Sequence, residues 1–228
     1  MHWIDPNCLP TTRGVVKQFI PNPNGDLDGL VLIGDIGKLT LVHFPPHLTE
    51  QVKAAIRVGD MICVRGVKPR GAALISAVSL VAVDGNAIVD TGATDKDKHG
   101  TKEKGSGAER VEKDVVGFVQ LALHAPKGEL RGALLEDGSV LRVGPKEATR
   151  FAVLLHPGAA VAARGKGLQT TYGTVIEARE IGPSLDELVP VQVKNLEKEK
   201  KGHHRQKDMN DAKVKPDEGP GVLLAANR

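Results

Sequence analysis

The chain has 228 residues, with 31 Lys and Arg against 28 Asp and Glu, and its formal net charge is +3. This length suits two domains of modest size, whereas the small charge gives no general argument for nucleic-acid binding. No run approaches the roughly 18 apolar residues of a membrane span, which excludes a membrane-spanning helix. Four Phe, one Tyr and one Trp are few, so we expect cores of Val, Leu, Ile and Ala.

The first 13 residues are predicted to be a leader that precedes the first domain. They lack the basic start and the apolar stretch of a secretory signal, which favours a cytoplasmic protein. Cys8 lies in this leader and Cys63 lies in an apolar run. In a reducing cytosol, both are expected to be free thiols.

The leader is followed by a segment that predicts three strands, a short helix and two further strands. Residues 14–20 and 27–34 are β-rich, and the turn formers between them predict a β-hairpin. A third strand over residues 38–44 ends at two prolines, after which apolar residues recur at helical spacing as far as Gly59. Strands over residues 61–67 and 73–81 complete the segment.

The same pattern is written a second time further along the chain. Residues 14–30 and 117–133 share three glycines and a proline at an offset of 103. Residues 43–47 fall on residues 142–146 at an offset of 99, and residues 74–80 match residues 175–181 at an offset of 101. The chain is therefore predicted to contain two diverged copies of one module.

Five strands with a helix between the third and the fourth predict an all-β fold, the OB-type barrel, in each copy. A four-stranded α+β sheet is the alternative. We expect barrels over residues 14–83 and 115–189, a flexible charged linker over residues 84–114, and a disordered basic tail over residues 190–228. The sequence leaves open whether the two barrels pack together.

One set of phrases also resembles a known family. GVVKQFIPNPNGDLDGLVL, VHFPPHL, VGD and VRGVKPRG are similar to segments of a poorly characterised group of bacterial OB-fold domains, which often carry a nucleic-acid-binding label by analogy. The resemblance covers about residues 13–83 and extends less closely over residues 115–183. It implies the OB fold and a nucleic-acid partner, and it implies no catalytic residues.

The sequence contains none of the usual catalytic constellations. No G-x-S-x-G elbow, P-loop, H-E-x-x-H motif or Cys-x-x-Cys pair occurs. The repeated glycines stand at turn positions, where backbone geometry explains them. We therefore expect a binding protein without enzymatic activity and without a cofactor.

His43 and His47 stand at a corner between a strand and a helix. Their spacing would suit a pair of metal ligands on one helix, but Pro45 and Pro46 lie between them, and no third ligand is near in sequence. A structural role is favoured over metal binding. Since Arg142 and Lys146 take their places in the second copy, a cationic corner that meets a phosphate is the remaining hypothesis.

The surface of the barrels supplies the other candidate residues. OB barrels bind oligonucleotides on the face of strands two and three, flanked by the loops between strands one and two and between strands four and five. Basic residues at or near these loops and two aromatic rings that could stack on bases complete the predicted nucleic-acid site. It comprises Lys17, Phe19, His43, Phe44, His47, Arg65, Lys68, Arg70, Arg142, Lys146, Arg164 and Lys166.

Two classes of partner follow from these residues. Single-stranded nucleic acid would be bound weakly, with strong salt dependence and little sequence preference. A protein partner is the alternative, because a tethered pair of barrels needs neither rings nor a strong charge to bind another protein. The first copy is favoured as the nucleic-acid binder, since its residues 14–83 carry a charge excess of +2.

Overall fold

Strands with alternating side chains build the first barrel. In a computed structural model that describes residues 5–92 and 109–191, β4 shows the expected pattern, because every second side chain points inward. The order β3-β2-β1-β4-β5 closes through a parallel β3–β5 pairing. The strands are β1 (Thr11–Pro21), β2 (Leu27–Ile33), β3 (Leu39–His43), β4 (Met61–Val67), β5 (Leu74–Val81) and the added edge strand β6 (Ala87–Val89).

The second barrel repeats this topology. A parallel pairing of β9 with β11 closes it, just as β3 and β5 close the first. Its strands are β7 (Val111–His124), β8 (Leu130–Leu135), β9 (Val140–Arg142), β10 (Ala160–Thr170), β11 (Gly173–Gly182) and the two-residue edge strand β12 (Val189–Pro190). The prediction of two five-stranded OB-type barrels is therefore confirmed.

A short helix lies between the third and fourth strand of each barrel, as predicted. In the first barrel, a 3-10 turn at Pro46–Leu48 leads into α1 (Thr49–Ala55), and Leu48 and Val52 are buried. In the second barrel, α2 (Pro145–Arg150) starts at a proline and buries Ala148. Proline suits this place because the first turn of a helix needs no donor from its backbone nitrogen.

The repeated glycines have a steric reason. Gly66 and Gly165 follow the same β-bulge in the two copies. A Cβ atom at Gly66 would lie 2.2 Å from the carbonyl oxygen of Ser76, and one at Gly165 would lie 2.0 Å from that of Glu177. Only glycine lets the fourth and fifth strands approach this closely.

Each barrel has its own aliphatic interior, and a third cluster joins the two barrels. Leu30 and Leu32 of β2 point into the first barrel, whereas Val31 between them points outward and is nevertheless fully buried. The cluster that buries it contains residues of both copies: Ile20, Val31, Leu41 and Leu74 of the first barrel, with Leu121, Leu123, Leu134, Val140, Leu168 and Val175 of the second.

The interface between the barrels has approximate twofold symmetry. Ile20, Val31, Leu41 and Leu74 match Leu123, Leu134, Val140 and Val175 at the offsets of the sequence repeat, and the strand registers agree with these matches. The same surface of each copy therefore forms the contact. This is the isologous arrangement of a symmetric dimer, realised within one chain.

Several boundaries differ from the predicted ones. The edge strand β6 lies within the segment predicted to be a linker, and β7 begins at Val111 rather than at residue 115. The remaining linker residues 93–108 and the tail from residue 192 onward lie outside the described residues. Within the described part of the chain, no helix is long and apolar enough to cross a membrane.

Candidate nucleic-acid interface

The face of strands two and three, where OB barrels usually bind, is covered in both copies. Val31 and Leu41 of the first barrel pack against Leu134 and Val140 of the second, and all four are at most 1% exposed. Their side chains are aliphatic, so they suit a dry protein interface better than a surface for phosphates and bases. The expectation that nucleic acid binds on this face is therefore not supported.

Three of the predicted site residues bridge the two barrels instead. Lys17 donates a hydrogen bond to Gln120, its equivalent at the offset of 103. His43 contacts the carbonyl oxygen of His124 at 2.6 Å. Arg142 donates to the carbonyl oxygen of Pro21 at 3.2 Å. These residues hold the interface together and are not directed at a ligand on the outer surface.

Arg142 also forms the main ion pair between the barrels. Its Nη2 atom lies 2.8 Å from Oδ2 of Asp28. Burial lowers the pKa of Arg142, while the charge of Asp28 and the hydrogen bond to it oppose the shift. The guanidinium of Arg131 lies near enough to disfavour the charge of Arg142 further. Asp28 is thus the anion that compensates this cationic cluster.

The two predicted stacking rings belong to the core of the first barrel. Phe19 and Phe44 are each 7% exposed. The ring of Phe19 meets the edge of Tyr172, with a centroid separation of 5.5 Å. Neither phenylalanine ring is open to a base, because both already fill the apolar interior.

The two histidines of the corner do not share a site. Both ring nitrogens of His43 lie against carbonyl oxygens, whereas Nε2 of His47 lies 3.0 Å from Oδ1 of Asp90. Among the described residues, no group of three or more His, Cys, Asp or Glu side chains is arranged to hold a metal ion. The counterpart of His47, Lys146, is exposed at the start of α2.

Arg65 and Arg164 occupy equivalent positions in the two barrels but have different partners. Arg164 donates twice to Asp114, at 2.8 and 3.0 Å, and once to Glu180 at 3.4 Å. At the corresponding places around Arg65, the strand partners are Thr11 and Ser79. The second barrel neutralises its arginine, whereas the first surrounds its arginine with uncharged groups.

The side chain of Arg65 has only neutral hydrogen-bond partners in the described structure. Nε donates to Oγ1 of Thr11 at 3.3 Å, and Nη1 donates to Oδ1 of Asn7 in the leader. The hydrogen bond to Asp114 raises the pKa of Arg164. Among the described residues, Arg164 forms salt bridges with Asp114 and Glu180, whereas Arg65 forms none.

Lys166 resembles Arg164 in its surroundings. It stands on β10 opposite Glu112 of β7 and opposite Glu177 of β11. Two acidic residues therefore flank it in the sheet. Among the described residues, however, Glu112 pairs with Arg179 and Glu177 pairs with Arg110, and Lys166 forms no ion pair.

Lys68 and Arg70 lie on the exposed loop between β4 and β5. This loop and strand β5 meet the loop between β7 and β8 of the other barrel. Oγ of Ser76 on β5 donates to the carbonyl oxygen of Pro126 at 3.3 Å, and a Cβ at Gly128 would lie 3.7 Å from that of Pro69 on the loop. Lys127 between these contacts is exposed. Within the described residues, none of these three cations takes part in an ion pair.

Sequence reasoning missed two cations near this surface. Lys127 belongs to the second copy, and its contribution depends on the packing of the barrels. Arg13 stands two residues from Thr11 on β1, so it shares the outer face with Arg65. A hydrogen bond to Cys63 raises the pKa of Arg13. The second strand of each copy offered a signal for the packing of the two barrels, because it contains a continuous apolar run instead of alternating apolar and polar residues.

A small cavity lies beside the junction of the two barrels, but its polar groups are already engaged. Its volume is about 300 Å³. Gln18 donates to the carbonyl oxygen of Gly138, Ser139 donates to Asp137, and Thr174 donates to Gln169. These internal bonds leave Arg65 and the two loops as the better candidate site. The lining residues are Gln18, Asp137, Gly138, Ser139, Gln169, Tyr172, Gly173 and Thr174.

The chain was compared with protein-family models, curated proteins and solved structures. No family model and no curated protein matches it. Two similar solved structures are of the single-stranded DNA binding protein from Thermus aquaticus. A deletion mutant is 14% identical, covering 79% of this chain and 95% of its own with a TM-score of 0.24. The wild-type structure is also 14% identical, covering 75% of this chain and 90% of its own with a TM-score of 0.23. With TM-scores this low, these structures support no conclusion about the present chain.

Proposed function

We propose that this protein binds single-stranded nucleic acid through phosphate contacts on its first barrel, without catalysis and with little sequence preference. The site comprises Arg65 on the outer face of β4 and Lys68 and Arg70 on the following loop. Lys127 of the second barrel extends it. These residues form the first-barrel cationic edge.

The observation that carries the proposal is the difference between the equivalent arginines. Arg164 is held by Asp114 and Glu180, whereas Arg65 has only neutral partners among the described residues. A guanidinium without a carboxylate partner can donate to phosphate oxygens in a bidentate way. At this one position, the first barrel therefore offers an arginine without a carboxylate partner among the described residues, whereas the equivalent arginine of the second barrel is paired.

The position of the edge fits the remaining accessible parts of the barrel. The face of strands two and three is covered, but the loop between β4 and β5 stays exposed and lies beside the loop between β7 and β8. In OB barrels, loops of these two types flank the bound strand. Here the loop between β4 and β5 of the first barrel lies beside the loop between β7 and β8 of the second.

The few contacts predict weak binding with a strong dependence on salt. Three or four phosphate contacts to a single strand release counterions, so the affinity should fall roughly 20- to 50-fold between 50 and 200 mM salt. Because Phe19 and Phe44, the two rings predicted to stack, are buried, base stacking at this site should add little. Sequence tolerance follows, since phosphate contacts carry no base information.

Fluorescence anisotropy of a labelled single-stranded oligonucleotide tests the proposal. Replacement of Arg65, Lys68 and Arg70 by Ala should abolish measurable binding at 50 mM salt. The single variant Arg65→Ala should lower the slope of log affinity against log salt by roughly 0.7. Arg164→Ala is the matched control and should bind as the wild type does.

A chain that ends at residue 193 separates the barrels from the tail while keeping the buried Val191. Binding that survives this truncation and is lost in the triple variant supports the proposed site. Binding that Arg164→Ala reduces as much as Arg65→Ala does would contradict it.

Absence of binding at low salt would favour the second candidate, a protein partner. Val116 and Phe118 favour that candidate, because they are 58% and 53% exposed on the outer face of β7. Ala160, opposite Phe118 in the sheet, is also exposed. Apolar side chains that share an outer face are more typical of a contact with protein than of one with phosphates.

A further inference from the structure

His43 connects the two barrels through both nitrogens of its ring. It is 4% exposed. Nδ1 lies 2.6 Å from the carbonyl oxygen of Asp28 in its own barrel, and Nε2 lies 2.6 Å from the carbonyl oxygen of His124 in the other. Both distances are those of close hydrogen bonds.

The chemistry of these partners determines the protonation state of the ring. A backbone carbonyl oxygen only accepts hydrogen bonds, and a neutral imidazole has one N–H group and one nitrogen lone pair. A lone pair directed at a carbonyl oxygen at 2.6 Å would be repelled. Both contacts are therefore satisfied together only when His43 carries a proton on each nitrogen and is positively charged.

The symmetry of the interface provides an independent observation. Arg142 is the equivalent of His43, and Pro21 is the equivalent of His124. Arg142 donates to the carbonyl oxygen of Pro21 at 3.2 Å, just as His43 contacts that of His124. One of the two equivalent places thus holds a permanent cation that bridges the barrels in the same way.

The charges around His43 come from both barrels. Oδ1 of Asp28 on β2 lies 3.8 Å from Nδ1 of His43, and Asp28 also pairs with Arg142 of β9. Arg131 on β8 lies near Arg142, and the pKa of His124 on β7 is lowered, mainly by burial and in part by the charge of His43. Asp28 is the anion of this group, so it serves two cations.

We propose that His43 is a pH-dependent clasp between the two barrels. Its doubly protonated ring bridges them, and loss of one proton breaks one of the two hydrogen bonds. A group that is charged in the folded chain and neutral in the unfolded chain stabilises less as the pH rises. The interface is therefore firm in mildly acidic solution and weaker in mildly alkaline solution.

Nuclear magnetic resonance of the ring nitrogens in the whole protein tests the protonation state directly. At about pH 5.5, both nitrogens of His43 should show the shifts of protonated nitrogen, and by about pH 8.5 one of them should show the shift of a lone-pair nitrogen, since histidine changes charge in this range. A neutral ring at pH 5.5, or a ring that keeps both protons at pH 8.5, would overturn the proposal.

Thermal unfolding over the same range tests the consequence. His43→Arg places the permanent cation of the equivalent position at this site. The melting temperature of the wild type should fall with rising pH by roughly 2–4 °C more than that of His43→Arg. His47→Arg is the control, because that residue pairs with Asp90 inside the first barrel.

The melting temperature of His47→Arg should retain the part of its pH dependence that His43→Arg removes. Equal pH dependence in the wild type and His43→Arg would contradict the clasp. Should His43→Arg fail to fold, the nitrogen shifts of the wild type still decide the question.

Discussion

Single residues explain how two copies of one module became different. At the symmetric interface, Asp28 of the first barrel corresponds to Arg131 of the second, and His43 corresponds to Arg142. One pairing, Arg142 with Asp28, is an ion pair at 2.8 Å. The symmetric pairing would join Arg131 to His43, two basic side chains. The interface is therefore held electrostatically on one side of its axis.

Removal of Arg142 should show how much its ion pair with Asp28 stabilises the interface. Arg142→Ala leaves the carboxylate of Asp28 and the carbonyl oxygen of Pro21 without their partner, and hydrogen bonds to charged groups contribute roughly 1.5–3 kcal/mol. We expect a loss of stability of that size in urea unfolding. Asp28→Asn in a double-mutant cycle should show coupling between the two residues, and strictly additive losses would speak against the ion pair.

The candidate site was predictable from the sequence only for residues whose environment is local. Lys68 and Arg70 follow a recognisable strand and precede another, so their place on a loop could be deduced. The neutral surroundings of Arg65 depend on Thr11 and Ser79, which reach it through the register of three strands. Burial of His43 required knowledge of the other barrel, which no local pattern supplies.

The strands and helices were largely predictable because their signals are repeated. Glycines and prolines mark the same turns twice, and the boundaries of β4 coincide with the predicted ones. The edge strands β6 and β12 were missed, since three and two residues are too few to show a period. Continuous apolar runs in β2 and β8 are the sequence signal of burial on both faces.

The close approach of β4 and β5 leads to a prediction for one glycine. In Gly66→Ala, the new Cβ would meet the backbone oxygen of Ser76 at 2.2 Å, so the strands must separate. Overpacking of this kind costs roughly 1–3 kcal/mol. Gly117→Ala is the matched control, because its Cβ would lie 3.7 Å from the side chain of Leu135. Equal melting temperatures of the two variants would refute the steric explanation.

At the scale of the whole molecule, the two barrels behave as one unit because the outer face of strands two and three is apolar in each barrel. The described residues 5–92 and 109–191 belong to a single compact unit, and its central cluster contains residues of both copies. The surface that a separate OB barrel would keep open for a ligand is used here for self-association. The proposed site lies instead on the outer face of β4 and on the loop that follows it.

A charge placed in the apolar cluster between the barrels should separate them. Leu41 is 1% exposed at the interface, and an unpaired carboxylate there cannot be solvated while the barrels stay in contact. Leu41→Asp should increase the radius of gyration in small-angle X-ray scattering and retain the circular dichroism of β-structure. Ile36→Asp, at a position that is 89% exposed, should change neither. An unchanged radius in a stably folded Leu41→Asp variant would argue against the interface.

The twofold interface within one chain has a consequence for affinity. Two separate modules would need a tight contact to stay associated at cellular dilution, whereas modules joined by a short segment meet at an effective concentration on the order of millimolar. A contact with a dissociation constant far above that of a stable free dimer therefore suffices. Covalent connection relaxes the demand on the shared face, which is compatible with a histidine, His43, at the place where the other copy has Arg142.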